Sequence, residues 1–175
     1  MSRRFRRRWP RLLLPWALFA VLVVVRLWQS TRGPHVPDVL AEGVYPVARV
    51  VDGDTLLLAN GARVRLQGVD TPETVKPDHN VEPWGREASA FPRQFVAQGA
   101  VRLQFDRERK DRYDRFLAYV WCGNRMLNEE LLRAGLARTR PYYRYAPAMQ
   151  RRFRHVEAEA RAAQRGVWSG RRGNL

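Results

Sequence analysis

The chain reads as an α+β domain built on a small, twisted β-barrel and preceded by a basic, apolar N-terminal segment. Three observations lead there. Short runs rich in valine, leucine and aromatic residues recur between residues 44 and 127, each bounded by turn residues. Asn60-Gly61, the strongest short-range hairpin signal, joins two of these runs. Helical patterns fall between and after the strands instead of alternating with each one, as a parallel sheet would require. The 175 residues suffice for one domain and an additional segment.

Val44–Val51 is valine-rich and loosely alternating. Thr55–Ala59 and Ala62–Gln67 form the predicted hairpin, and Val101–Phe105 alternates apolar and polar positions. Phe116–Cys122 is aromatic and β-branched, and Gly123-Asn124 turns it towards Arg125–Leu127. Arg86–Gln98 carries Ala88, Phe91, Phe95 and Val96 at helical spacing, with Pro92 expected to kink or shorten it. Asn128 is the predicted N-cap of Glu129–Ala134, whose acids suit the positive end of a helix dipole, and Gly135 is the stop. Pro147–Gln164 places Met149, Phe153, Val156, Ala160 and Ala163 on one stripe, ended by Gly166.

Residues 1–11 are a basic tail, and Leu12–Val25 is uncharged and interrupted only by Pro15. That run is short for a span of about 20 residues and fits the apolar region of a signal sequence. No pair of small residues follows Val25 at a peptidase spacing, while Trp9 and Trp28 flank the run as interfacial aromatics do. Arg11 and Arg26 can snorkel outward from its two ends. Residues 12–28 are therefore expected to form an uncleaved, single-pass transmembrane anchor. The arginines before Leu12 place its N-terminus in the cytoplasm and the later residues in the periplasm or outside the cell. Cleavage would instead secrete the domain. Residues 29–42 read as a linker, 43–170 as the folded domain and 171–175 as a tail.

Lys and Arg number 32 against 17 Asp and Glu, a formal charge of +15 that favours polyanionic partners, nucleic acid before anionic lipid. A single cysteine, Cys122, excludes an internal disulfide or a multi-cysteine metal site. His35, His79 and His155 match no metal spacing, so a metal would be held by oxygen. Polar residues gather at the strand ends: Asp52-Gly53-Asp54-Thr55, Asp70-Thr71-Pro72-Glu73 and Asp111-Arg112-Tyr113-Asp114-Arg115. Arg65 lies within the third strand, on the opposite parity to Val64 and Leu66. Taken singly, each has an ordinary reading: a turn pair, a cap, a surface arginine. Asp54 and Asp70, at the ends of elements around one hairpin, can approach each other, and two facing carboxylates need a proton or a cation. A hard divalent cation such as calcium satisfies them.

Together these stretches resemble the staphylococcal nuclease (thermonuclease) family. The likeness rests on Val51–Thr55, on Arg65-Leu66 leading to Val69–Glu73, and on Glu87-Ala88-Ser89-Ala90-Phe91. It continues in Asp111–Tyr119, in Asn128-Glu129 to Gly135-Leu136-Ala137 and in Gly166-Val167-Trp168, and so covers about residues 44–168. The resemblance implies a five-stranded OB-type barrel with three helices and a calcium-dependent nuclease that leaves 3′-phosphate ends on DNA and RNA. Asp54 and Asp70 would ligate Ca²⁺ through carboxylates and Thr71 through its backbone carbonyl. Glu73 would be the general base, Arg65 and Arg115 would grip the scissile phosphate, and Arg112 and Tyr113 would contact a neighbouring one. Single-stranded or locally unpaired substrate and a monomeric enzyme are expected. Asp114 stands where the family has Gly, and tolerates the positive φ such a turn needs. Pro141–Tyr145 resembles the family's base-stacking tyrosine segment, with Tyr143 the expected platform. The Lys76–Glu82 loop is expected to line the groove. The rival reading is a non-catalytic nucleic-acid-binding module of the same fold, as in the Tudor–staphylococcal nuclease proteins.

Overall fold

A computed structural model describes residues 19–24, 26, 36–73, 82–142 and 144–170. The chain divides into two compact units, 1–35 and 36–175. In the first, residues 19–24 and 26 are helical. No helix among the described residues is long and apolar enough to cross a membrane. The basic tail and most of the expected anchor lie outside the described residues, as do 171–175.

The second unit runs β1 (Gly43–Asp52), β2 (Thr55–Leu58), β3 (Arg63–Leu66), β4 (Val69–Asp70), α1 (Gly85–Phe95), β5 (Ala100–Gln104), β6 (Phe116–Cys122) and β7 (Arg125–Met126). It continues through α2 (Leu127–Arg133), β8 (Arg138–Thr139), α3 (Pro147–Ala162) and a 3₁₀ turn at Gly166–Trp168. β1 serves two neighbours. Its first half pairs antiparallel with β5 (Gly43 opposite Leu103) and its second with β2 (Asp52 opposite Thr55). Register irregularities between Val47 and Arg49 and between Val50 and Asp52 bend the strand so that one ribbon can serve both sides. β2–β3 and β5–β6 are antiparallel, and a parallel pairing of β3 with β6 (Val64 opposite Phe116, Leu66 opposite Ala118) closes the five strands into a barrel. The expected OB-type α+β architecture is therefore present, with β7 extending β6 as a short hairpin.

Leu56, Leu58, Val64, Leu66, Val101 and Leu103 bury the alternating face of their strands inside the barrel. β6 is buried from Phe116 to Val120 on both faces, because helices cover the outer one. α2 and α3 contribute Leu131, Leu132, Phe153 and Val156 to the same core, where the Phe153 ring meets Tyr119 at 6.0 Å and Tyr145 at 6.1 Å. The Tyr119 hydroxyl donates to Asp106 at 2.7 Å.

Three local expectations need revision. Asn128 does not cap α2, which begins one residue earlier behind Met126. Its fully buried amide instead accepts from Val120 N–H (3.0 Å) and donates to the carbonyls of Gln67 (2.9 Å) and Ala118 (3.3 Å), across the line where β3 and β6 meet. Three buried backbone groups gain a partner there that a cap would not supply. Second, α1 stops at Phe95 rather than Gln98. Pro92 lies near its end, where it forfeits the bond an N–H would donate to the Ala88 carbonyl, and the helix ends three residues later, in keeping with the expected shortening. Third, β4 and β8, two residues each, were not foreseen; Asp70 sits opposite Arg138 in that ladder. Gly135 does end α2, at φ 69° with its face against the Arg165 backbone, so no side chain fits there.

Candidate active site

The site begins where β1 turns into β2. Asp54 N–H donates to its own loop neighbour, Asp52 Oδ1, at 3.1 Å, a local Asx turn that aims the Asp54 carboxylate inward. Gly53 is required between them: a Cβ there would stand 2.5 Å from Thr71 Oγ1 and 3.0 Å from the Ala88 carbonyl of α1. The loop is thus pressed against both the strand end that carries Thr71 and the first helix.

Asp54 is 7% exposed. Its Oδ1 accepts from Thr55 Oγ1 at 3.0 Å and its Oδ2 from Thr71 N–H at 3.2 Å, and it pairs with the guanidinium of Arg65. Burial pushes its carboxyl up to about 7, Arg65 pulls it back, and the neighbouring Asp52 pushes it further up. Arg65 is itself buried, although a β3 position facing away from Val64 and Leu66 reads as barrel surface. The buried carboxylate explains its place. Arg65 lies between two acids, with Nη2 donating to Asp70 Oδ1 at 2.7 Å. Asp70, at the end of β4, also forms an ion pair through Oδ2 with Arg140 Nε at 3.1 Å.

Thr71, Pro72 and Glu73 continue from Asp70 along the same wall. Glu73 N–H donates to Glu82 Oε2 at 3.1 Å, and Glu82 N–H donates to the Glu73 carbonyl at 3.1 Å. That reciprocal pair ties together the two ends of 74–81, which fall outside the described residues; of the loop expected at Lys76–Glu82, only Glu82 is described.

Another wall is the loop before β6. Asp111 organises it: Oδ1 accepts the backbone N–H groups of Tyr113 (2.9 Å) and Arg115 (3.0 Å), and Oδ2 accepts Arg115 Nε and Nη2, each at 2.7 Å. A single carboxylate therefore sets both the turn and the plane of the Arg115 guanidinium. Asp114 takes φ 60°, the left-handed conformation expected of it, and its carboxylate pairs with Lys110 at 2.6 Å rather than with Arg115. Arg112 Nη2 donates to the Tyr113 hydroxyl at 2.7 Å, and the Tyr113 ring is largely exposed.

One cleft of about 800 Å³ is lined by Asp54, Arg65, Asp70, Thr71, Glu73, Arg112, Tyr113 and Arg115. Every site residue expected from the sequence meets there except Tyr143, which lies outside the described residues; its neighbour Tyr142 lines the cleft. Sequence reasoning overlooked Asp111 as an organiser, and Glu108 and Arg140 as lining groups, whereas Glu82 lines the cleft as the end of the expected Lys76–Glu82 loop. Asp111 was visible as the first residue of its motif, since an acid four positions before an arginine can hold its side chain. Arg140 gave no signal, because only the two-residue β4–β8 ladder brings it to Asp70.

Residues 63–170 match the family model described as staphylococcal nuclease homologue. The chain belongs to the staphylococcal nuclease family. It is 40% identical over 159 residues to the thermonuclease of Staphylococcus hyicus, covering 86% of this chain and 92% of that one. The thermonuclease of Staphylococcus intermedius is equally similar, 40% over 159 residues, covering 86% and 94%. Endonuclease YncB of Bacillus subtilis is 40% identical over 125 residues, 69% of this chain and 59% of its own length. The site residues of this staphylococcal nuclease homologue fall within or immediately beside the matched stretch, Asp54 alone preceding it.

Proposed function

We propose that the chain is a calcium-dependent nuclease that hydrolyses phosphodiester bonds of DNA and RNA and leaves 3′-phosphate ends. As a staphylococcal nuclease family member it is a hydrolase of the phosphodiesterase class; the metal, the products and the residue roles are the reading argued here. The observation that carries it is the seating of Arg65 between Asp54 and Asp70, in the same cleft as an Arg115 whose guanidinium plane is set by Asp111.

Among the described residues no group of three or more His, Cys, Asp or Glu side chains is placed to hold a metal ion. The donors gathered around Arg65, the Asp54 and Asp70 carboxylates with Thr71 next in the chain, offer oxygen and suit a hard cation. The raised Asp54 carboxyl marks a place where burial, with the neighbouring Asp52, outweighs the Arg65 guanidinium. The residues therefore fit Ca²⁺, held by Asp54, Asp70 and Thr71. Bound there, it would supply Lewis-acid stabilisation of a phosphate oxygen.

The rest is chemistry of the chain's own groups. Arg65 and Arg115 bind the non-bridging oxygens of the scissile phosphate, where charge grows in the transition state; the planar fork of Arg matches paired oxygens. Glu73, on the cleft wall, orients a water and takes its proton as the oxygen bonds to phosphorus. The P–O5′ bond then breaks, the 5′-oxygen takes a proton from solvent, and the phosphate stays on the 3′ side. Arg112 and Tyr113 hold a neighbouring phosphate. A cleft open along the barrel surface suits a single or locally unpaired strand.

The six arginines before Leu12 and the apolar run after them are the support for an anchor with the nuclease domain outside the cytoplasm. The test is digestion of single-stranded DNA by the purified protein with calcium and then with chelator, followed by analysis of product ends. Cleavage that chelator abolishes, with 3′-phosphate ends, supports the reading. Tight binding with no cleavage would instead favour the non-catalytic module.

A further inference from the structure

Arg140 is a cation lining the cleft that the chemistry above does not use. Its backbone is fixed: Arg140 N–H donates to the Gly68 carbonyl at 2.8 Å, one residue beyond the β4–β8 ladder. Its side chain reaches Asp70 Oδ2 through Nε at 3.1 Å, while Arg65 holds Oδ1 of the same carboxylate at 2.7 Å. The two guanidinium groups differ in surroundings. The Arg65 side chain is 6% exposed and locked between acids, whereas that of Arg140 is 45% exposed at the cleft surface. The guanidinium carbon of Arg140 also lies 5.6 Å from the ring centre of Tyr142, itself 82% exposed.

Charge bookkeeping shows what is missing. Asp54 and Asp70, when ionised, are balanced by Arg65 and Arg140. Once a divalent cation joins them the cluster carries two positive charges in excess, and a polynucleotide supplies one negative charge per phosphate. Arg65 and Arg115 already account for the scissile phosphate. An arginine that is half in water, ion-paired to Asp70 and separate in the chain from the Arg112–Tyr113 loop that lines the same cleft, is placed to take a second one.

We propose that Arg140 is a substrate-binding residue that holds a phosphate next to the one cleaved, on the Asp70 side of the cleft. The inference rests on the nuclease reading for its substrate, a single-stranded polynucleotide, and concerns affinity rather than bond breaking. It extends the phosphate contacts beyond the 111–115 loop and makes the binding track longer.

The test is binding of fluorescein-labelled oligothymidylate to the full chain in chelator, read by anisotropy across a series of KCl concentrations. Arg140→Ala is expected to weaken binding about fivefold at moderate salt and to flatten the slope of log K against log salt by about 0.7, the amount one lost single-strand phosphate contact removes. Arg140→Lys keeps the charge and should keep the parental slope. Arg140→Gln serves if the alanine variant does not fold, since its main-chain bond to Gly68 survives. A parental slope in both neutral variants overturns the proposal, even with a changed affinity, because a group that merely props Asp70 releases no counterions. A lysine variant as shallow as the alanine one also overturns it. The nuclease reading stands or falls separately, on whether the parental chain cuts with calcium: a non-cutting chain that still loses slope on Arg140→Ala keeps this inference and loses that one.

Discussion

Asp54→Asn removes the charge from a buried acid of the cleft without changing its shape. The displacement of that carboxyl from 3.8 to about 7 means that folding favours its proton, so the ionised form destabilises the protein. The sign follows from linkage. Between the unfolded and folded values the native state binds more protons than the unfolded one, and stability falls as pH rises through that window. Below 3.8 the group contributes nothing, and above 7 its cost is complete. Each tenfold in proton affinity is worth about 1.4 kcal/mol, so the cost grows by on the order of 2 kcal/mol between pH 5 and pH 8. Asparagine does not titrate. In urea unfolding with chelator present, Asp54→Asn should therefore gain stability over the parent at pH 8 and gain about 2 kcal/mol less at pH 5. Calcium should stabilise the parent and not the variant, and cleavage should fall at least ~10²-fold. A variant no more stable than the parent at pH 8, or one with the same advantage at both pH values, would refute the assignment of Asp54 as a strained, cation-seeking carboxylate.

Four other outcomes are expected. Arg115→Ala and Glu73→Gln should each lower kcat by ~10²-fold or more in a calcium-dependent assay while leaving the urea midpoint near the parental one. Asn128→Ala leaves the Val120 amide and the Gln67 carbonyl buried without that partner, while the Ala118 carbonyl keeps the Gln67 N–H at 3.0 Å, and should cost about 3 kcal/mol in the same unfolding experiment. Phe153→Ala empties a fully buried ring site and should cost about 3–5 kcal/mol. Tyr119→Phe removes the donor to Asp106. Burial raises that carboxyl, but hydrogen bonds from Ala146 N–H, the Tyr119 hydroxyl and Arg107 N–H, with the Arg107 charge, outweigh it and hold it below its ordinary range. The group then stabilises the fold above its unfolded pKa and loses that contribution as pH falls through the lowered folded value. The Tyr119→Phe loss, about 1 kcal/mol at neutral pH, should shrink to near zero in acid when followed by urea midpoints.

Much of the barrel was legible because strand pairing follows local pattern. Asn60-Gly61 joined β2 to β3, Phe116–Cys122 was delimited to the residue, and apolar steps of three and four marked the inner face of α3. The site was legible as a set of motifs at strand ends, and the cleft gathers eight of the nine expected residues. What the pattern did not carry was anything decided by a distant partner. Asn128 has the chemistry of a cap and was read as one, yet its three partners come from segments that only tertiary folding assembles. Arg65 breaks the parity rule because a buried acid, not water, receives it. The β4–β8 ladder is too short to show periodicity, and Arg140 was overlooked with it.

The parallel seam between β3 and β6 has a bearing on how the molecule comes into being. Every other barrel pairing joins strands that run antiparallel, but Val64 cannot meet Phe116 until the whole intervening stretch has been made and its helix placed. During synthesis the β1–β2–β3 meander emerges with an open edge, and Arg115 emerges later still, just ahead of β6. Sequence-distant closure of this kind slows folding. A ribosome-bound chain would hold Asp54, Arg65 and Asp70 long before it holds Arg115, so the cleft they line together is complete only with ring closure.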